Sequence, residues 1–123
     1  MIYLVDDDEI QNLINTKVVE IVAPHIQVKA FTAAEFALKE LSTNQEVRPK
    51  LIFLDINMPK LNGWDFLDAY MQLGIDVQVY MLSSSINQKD IIKSKQYDIV
   101  NGFISKPLVV ERLSEVLQEE GLI

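Results

Sequence analysis

Residues 51–59 are Leu-Ile-Phe-Leu-Asp-Ile-Asn-Met-Pro, and this stretch decides the fold. Four large apolar residues lead directly to Asp55, and Pro59 follows as a turn signal. Such a short apolar run is typical of a strand buried on both faces inside a parallel sheet. The stretch therefore predicts a central strand with Asp55 at its carboxyl end, which is the edge where open α/β sheets bind ligands. A lone aspartate there is more often a turn or cap residue, so its role depends on its neighbours.

Apolar, strand-like segments alternate with amphipathic helical segments five times along the chain. The strands are expected at residues 2–5, 26–31, 51–54, 77–82 and 102–104, each followed by a helix. Parallel strands require long, right-handed crossovers, which the intervening helices supply. The alternation predicts an α/β protein with a doubly wound, five-stranded parallel sheet covered by helices on both faces.

Helical periodicity also predicts which side chains face the core. The predicted inward positions are Ile10, Leu13, Ile14, Val18, Ile21 and Val22 in the first helix; Ala34, Ala37, Leu38 and Leu41 in the second; Phe66, Leu67, Tyr70 and Met71 in the third; and Val109, Val110, Leu113, Val116 and Leu117 in the last. The fourth helix, from Gln88 to about Tyr97, has the weakest amphipathy.

The composition bounds the function. The chain has 123 residues, 49% of them hydrophobic and 24% charged, which suits a single globular domain over residues 1–123. It has no cysteine, so disulfides and thiol catalysis are excluded. The formal net charge of -7 argues against direct binding to nucleic acid. No apolar run approaches the ~18 residues that a membrane span needs, and no signal peptide is visible, so we expect a cytoplasmic protein without membrane contact.

Four strand ends carry polar residues that parallel topology must bring to one edge. These are Asp6 and Asp7 after strand 1, Asp55 after strand 3, Ser83 after strand 4 and Lys106 after strand 5. Crowded carboxylates repel one another unless a proton or a cation joins them, and Mg²⁺ is the cation that carboxylate oxygens and phosphate suit best. A metal, a hydroxyl and a lysine around one carboxylate indicate a phosphoryl site with Asp55 as nucleophile. Each residue alone has an ordinary structural explanation, but the coincidence favours a site.

These residues fall into short motifs that are specific as a set. They are Val5-Asp6-Asp7, Asp55-x-x-Met58-Pro59-x-x-x-Gly63, Ser83-Ser84 and Lys106-Pro107. The chain resembles, over essentially its whole length, the receiver domain of two-component response regulators of the single-domain, CheY-like type. The resemblance implies a flavodoxin-like fold with strand order 2-1-3-4-5 and five helices.

The resemblance also implies a role for each residue at this edge. Asp55 would accept a phosphoryl group from a histidine kinase or a histidine phosphotransfer protein. Asp7, Asp55 and the backbone carbonyl of Asn57 would ligate Mg²⁺, with Asp6 assisting through water. Lys106 would pair with the phosphoryl group, and its bond to the following proline can be cis. The protein would be a signalling switch that catalyses its own phosphorylation and dephosphorylation, not an enzyme acting on other substrates.

Two positions depart from the usual pattern of that family. The switch hydroxyl is usually threonine and here is Ser83, which keeps the donor but lacks the methyl group. The switch aromatic is often tyrosine and here is Phe103, which lacks a hydroxyl. The resemblance implies that phosphorylation changes the face made by helix 4, strand 5 and helix 5, which then selects a downstream protein.

Asp8 lies outside the metal pair and is expected to support the first turn of helix 1. We expect a stand-alone receiver.

Three alternatives remain open. A haloacid-dehalogenase-type phosphatase would use Asp6-x-Asp8 as its opening motif, but it expects an acidic motif where three serines follow strand 4. A flavodoxin-like cofactor binder needs a hydroxyl- and glycine-rich loop after strand 1, where the aspartates would repel a phosphate. A degenerate receiver used as a scaffold is disfavoured because the site residues are all present.

Two further residues have predicted roles. His25, the only histidine, follows Pro24 and is interpreted as a loop residue, not a phosphodonor. Trp64 follows Gly63 and is expected to pack against the core or to cover the loop after Asp55. As the only tryptophan, it is a candidate fluorescent reporter of phosphorylation.

Overall fold

The computed structural model describes residues 1–43 and 46–123. Strands and helices alternate along the chain. In order they are β1 (Ile2–Val5), α1 (Glu9–Val22), β2 (Val28–Phe31), α2 (Ala34–Thr43), β3 (Leu51–Asp55), α3 (Gly63–Gln72), β4 (Val79–Ser83), α4 (Gln88–Ser94), β5 (Val100–Ser105) and α5 (Val110–Glu119).

The five strands form one parallel sheet in the order β2-β1-β3-β4-β5, which confirms the predicted fold class and strand order. The central strand β3 is buried along its whole length, as its continuous apolar sequence indicates. In the register of the sheet, Asp55 lies beside Leu82, and Ser83 lies beside Ser105. The strand ends that carry the candidate site residues are therefore level with one another.

Each face of the sheet has its own hydrophobic core. Alternate residues of every strand point to opposite faces, so neighbouring residues of β3 enter different cores. Ile52 and Leu54 pack with α2 and α3, where Leu41 and Phe66 are fully buried. Leu51 and Phe53 pack on the side of α1 and α5. Burial on both faces fixes the position of β3, and with it the position of Asp55 at the carboxyl end of the strand.

The predicted inward face of α1 is wrong at four of its six positions. The exposed fractions are 69% for Ile10, 58% for Leu13, 43% for Ile14 and 69% for Ile21. We call these four side chains the α1 apolar stripe. Val18 and Val22, the other two predicted positions, are partly buried against the core.

The face of α1 that lies on the sheet contains Asn12, Asn15 and Val19. The side-chain amide of Asn12 donates to the backbone carbonyls of Asp6 (2.9 Å) and Phe31 (3.3 Å). The carbonyl of Phe31 also accepts from the backbone amide of Asp6 over 3.0 Å, so Asn12 is its second donor. The side chain of Asn12 thus ties the ends of β1 and β2 to α1. A hydrophobicity pattern counts asparagine as a surface residue, which is why it assigns the wrong face.

Smaller errors occur at other helices. Met71, Val109 and Val110 are exposed instead of inward, while the remaining predicted positions of α2, α3 and α5 are buried or partly buried. Helix α4 ends at Ser94, three residues before the predicted Tyr97. Within the described residues, every helix is too short or too polar to cross a membrane.

Candidate functional site

The three consecutive aspartates after β1, residues 6–8, differ in their burial and in their hydrogen bonds. Asp6 is 1% exposed, and its Oδ1 accepts a hydrogen bond of 3.0 Å from the amide of Asp8. Asp8 is the N-cap of α1 and accepts from the amides of Ile10 (2.9 Å) and Gln11 (3.3 Å), which confirms its predicted role. Asp7 lies between them and is exposed to solvent. The turn thus supplies one buried and one accessible carboxylate next to the end of β3.

Asp55 and Lys106 meet beside this turn. The Lys106 Nζ lies 2.8 Å from Oδ2 of Asp6 and 3.2 Å from Oδ2 of Asp55. The Oδ1 of Asp55 accepts a hydrogen bond of 3.2 Å from the amide of Asn57. The peptide bond from Lys106 to Pro107 is cis, in agreement with the prediction. One ammonium group therefore bridges the two buried carboxylates.

Burial and the neighbouring charges shift the pKa values of both Asp55 and Lys106. Burial, and then the negative charge of Asp6, raise the pKa of Asp55 to about 6, although Lys106 opposes the shift. Burial acts to lower the pKa of Lys106, but its bond to Asp6 and the charge of Asp55 outweigh it, and the pKa is raised. Three carboxylates against one ammonium leave an excess of negative charge that favours a cation.

The carboxylates are close enough to share a metal ion. One oxygen from each of Asp6, Asp7 and Asp55 can be chosen so that all lie within 4.8 Å of one another. All the donor atoms are hard oxygens, and the exposed Asp7 opens the cluster to solvent. This donor set fits Mg²⁺, which binds through a few carboxylates and keeps water in its remaining positions.

The surroundings of Gly63 explain why a glycine stands eight residues after Asp55. Its amide donates to the carbonyl of Ile56 over 2.8 Å, so α3 begins directly against the end of β3. A Cβ atom on Gly63 would lie 2.8 Å from the carbonyl oxygen of Asp55 and 2.9 Å from Cα of Ile56. Both are backbone atoms that cannot move aside easily. The loop between them also contains Lys60 with a positive φ of 63°, an uncommon conformation for a lysine.

Ser83 and Phe103 lie on the other side of Asp55 from β1. Ser83 is buried at the end of β4, and its Oγ accepts a hydrogen bond of 3.1 Å from the amide of Ser85. Its backbone carbonyl accepts from the amide of Lys106 over 2.9 Å, which ties the ends of β4 and β5 together. Phe103 is half-buried on β5 and packs against the core on the α3 side of the sheet.

The sequence prediction missed Asn12 as a residue that supports the site. Its bond to the carbonyl of Asp6 holds the acidic turn against α1. A polar residue between apolar ones in a helix carries no signal that separates it from a surface residue. His25 lies exposed in the turn between α1 and β2, as predicted, and Trp64 is buried in the core at the start of α3, also as predicted.

The strand order and the acidic edge with its lysine define the class of CheY-like α/β domains. The chain belongs to the response regulator receiver domain family, whose model matches residues 2–118. It is therefore the receiver domain of a two-component response regulator.

Individual relatives agree with this assignment. The chain is 27% identical over 118 residues to the probable C4-dicarboxylate response regulator DctR of Halalkalibacterium halodurans, covering 96% of this chain and 50% of that protein. It is similar to the crystal structure of a two component response regulator from Cytophaga hutchinsonii, with a TM-score of 0.87, 30% identity, and coverage of 97% of this chain and 94% of the other. The chemotaxis protein CheY4 of Vibrio cholerae shares the fold, with a TM-score of 0.76, 22% identity, and coverage of 96% and 95%. The chain spans about half the length of the DctR relative.

Proposed function

We propose that Asp55 is the phosphoacceptor of a phosphorylation-activated switch, and that it receives its phosphoryl group from a histidine kinase or a histidine phosphotransfer protein. The observation that carries the proposal is the contact of Lys106 with Asp55, 3.2 Å apart at the open end of a buried strand. The carboxylate oxygen of Asp55 attacks phosphorus, the new P–O bond forms, and the bond from phosphorus to the donor imidazole breaks.

The residues around Asp55 suit the transfer. Asp7, Asp55 and the backbone carbonyl of Asn57 would hold Mg²⁺, and Asp6 would assist through water. The ion supplies positive charge to the phosphoryl oxygens when it is bound. Lys106 is already within 3.2 Å of Asp55 and supplies a second positive charge.

Ser83 is the proposed hydroxyl of the switch. Its Oγ accepts a hydrogen bond from the amide of Ser85, and this leaves its own proton available to donate to a phosphoryl oxygen. A turn of Ser83 toward Asp55 would carry the loop after β4 with it. Phe103, half-buried beside β4, would repack as that loop moves. We infer that the face formed by α4, β5 and α5 changes in consequence and selects a downstream protein.

The α1 apolar stripe is the proposed contact for the protein that donates the phosphoryl group. Its first residue, Ile10, lies three positions after Asp7, so the stripe begins beside the acidic cluster. Large apolar side chains exposed along one helix face are typical of a protein-binding surface. A donor helix packed on this stripe would bring its phosphohistidine to the edge where Asp55 is reached.

Intact-mass measurement after incubation with Mg²⁺ and acetyl phosphate tests the phosphoacceptor. We expect one added phosphoryl group on the parent and none on Asp55→Asn. The control is Asp98→Asn, an exposed aspartate after α4, which should be modified as the parent is. Equal modification of the parent and Asp55→Asn would refute the proposal, and a phosphoryl group mapped to Asp6 would favour the phosphatase alternative.

A further inference from the structure

Helix α4 has little apolar burial to hold it in place. Among its seven residues, all of which the structure describes, Ser94 is the one that is buried. The hydroxyl of Ser94 bonds to the carbonyl of Ile91 inside the same helix, and Ile92 is exposed. Short helices in proteins depend on packing of an apolar face for their stability. The position of α4 must therefore depend on other contacts.

Those contacts come from four side chains that we call the α3–α4 clasp: Trp64, Asp68, Lys93 and Tyr97. The rings of Trp64 and Tyr97 stack with centroids 5.8 Å apart and an angle of 28° between their planes. The Lys93 Nζ lies 5.0 Å from the centroid of Trp64, within range of a cation–π contact. The Tyr97 hydroxyl donates to Oδ1 of Asp68 over 2.6 Å.

The clasp has a regular construction. Trp64 and Asp68 are four residues apart on α3, so they share one face of that helix. Lys93 and Tyr97 are also four residues apart, and the amide of Tyr97 donates to the carbonyl of Ser94, which continues the turn of α4. The bond to Asp68 is the main reason that the pKa of Tyr97 is raised to about 12, and burial of the phenol adds to the shift. Two pairs of side chains thus face each other across the gap between the helices.

The α3 half of the clasp is linked to Asp55, and the α4 half is linked to Ser83. Trp64 follows Gly63, which lies directly against the end of β3. On the other half, Ser83 is four residues before Asn87, the N-cap of α4. A movement of Ser83 toward Asp55 would pull on α4 through this short loop, whereas the α3 half of the clasp stays fixed to the strand.

We propose that the α3–α4 clasp holds α4 in the unphosphorylated position and opposes its shift when Asp55 is phosphorylated. The inference rests on the proposed function. By linkage, a contact that favours the unmodified arrangement weakens binding of a phosphoryl group by the same factor. Removing one contact of the clasp should therefore loosen α4 and strengthen phosphoryl binding.

Amide hydrogen exchange tests the first part without any phosphoryl group. Tyr97→Phe keeps the ring stack and removes the bond to Asp68, and we expect exchange of residues 87–97 to become about three- to tenfold faster. Tyr80→Phe is the matched control, because the Tyr80 hydroxyl also contacts carboxylates, those of Glu119 and Glu120, but lies away from α4. Exchange that is unchanged in Tyr97→Phe would overturn the clasp.

Calorimetric titration with Mg²⁺ and beryllofluoride, a phosphoryl mimic, tests the second part. We expect Tyr97→Phe and Lys93→Gln to bind it about three- to tenfold more tightly than the parent, and Tyr80→Phe and Lys89→Gln to match the parent. Equal or weaker binding by the clasp variants would overturn the opposing role. If the parent itself does not bind the mimic, the proposed function fails and the opposing role fails with it, while the exchange experiment still decides whether the clasp holds α4.

Discussion

The ammonium group of Lys106 lies 2.8 Å from Oδ2 of Asp6, closer than it lies to Asp55. This ion pair is the only partner of that Asp6 oxygen within the described part of the chain, and the side chain is 1% exposed. A buried carboxylate without its counter-charge is strongly destabilised. In the structure, Lys106 therefore pairs with two carboxylates at once, and its removal has consequences for both.

Replacement of Lys106 by glutamine should raise the pKa of Asp55 above its value of about 6. The reason is that Lys106 lowers this pKa, while burial and Asp6 raise it. Carboxyl carbon shifts followed by NMR as a function of pH would measure the change, with Lys89→Gln on the exposed side of α4 as control. An unchanged or lower pKa would show that the ammonium group does not act on Asp55. The same variant should lose most of its reaction with acetyl phosphate.

The Asp55→Asn variant should be more stable than the parent at pH 7.5 without divalent cations. Because the pKa of Asp55 is raised by folding, its proton is bound more tightly in the native state, and stability from this group is lost as pH rises from about 4 to 6. A shift of about two units corresponds to at most about 3 kcal/mol, so we expect a gain of about 1–3 kcal/mol.

Thermal and urea unfolding of both proteins would measure this gain. The difference should shrink toward pH 4, where the carboxyl of the parent is protonated. It should also shrink when Mg²⁺ is added, since the ion stabilises the parent more than the variant. Parent and variant of equal stability at pH 7.5 would contradict the repulsion within the acidic cluster.

Replacement of Gly63 by alanine should destabilise the protein by about 1–3 kcal/mol, as expected for overpacking. The new Cβ would lie 2.8 Å from the carbonyl oxygen of Asp55, and neither backbone can yield without moving α3 or β3. Gly74→Ala is an informative comparison, because nothing lies within 4 Å of its Cβ position but its φ is +68°. Its cost, about 1 kcal/mol, comes from the backbone alone. Urea unfolding followed by circular dichroism measures both, and only Gly63→Ala should also slow phosphorylation.

A charged residue in the α1 apolar stripe should slow phosphorylation by a protein donor but not by a small-molecule donor. We expect Leu13→Asp to slow transfer from a phosphorylated histidine kinase or phosphotransfer protein about tenfold or more, and to leave reaction with acetyl phosphate unchanged. The side chain is 58% exposed, so stability should change little. Phe36→Asp on α2, also exposed but on the opposite side of the sheet, is the control. Equal slowing with both donors would place the effect in the site itself and contradict the docking role.

The strand ends of the site could be predicted from sequence because topology leaves them no alternative. Once the strands are parallel, Asp55 and Lys106 must lie at the same edge of the sheet; their contact of 3.2 Å also depends on the strand order, which separates β3 from β5 by β4 alone. The register confirms this, since the ends of β3, β4 and β5 are level. The alternation of strands and helices predicted the fold class, whereas the strand order was implied by the family resemblance; the structure confirms both.

The α1 stripe and the clasp could not be predicted in the same way. A periodic apolar face shows that a helix has something to bury, but not whether the core or another molecule covers it. The buried amide of Asn12 settles the orientation of α1 through bonds to two strand ends, and no pattern within the helix contains that information. The stacking of Trp64 on Tyr97 joins residues 33 positions apart, and it depends on how α3 and α4 are placed.

The α1 apolar stripe also governs how the molecules behave toward one another in concentrated solution. At neutral pH the net charge of -7 keeps them apart, and the stripes rarely meet. Salt shortens the range of this repulsion to roughly 3 Å at 1 M, and acid removes the charge itself. In either condition the repulsion no longer opposes contacts between the exposed isoleucines and leucine of different molecules. We therefore expect low-salt buffers well above the isoelectric point to keep the protein monodisperse, and high-salt or acidic samples to become turbid first.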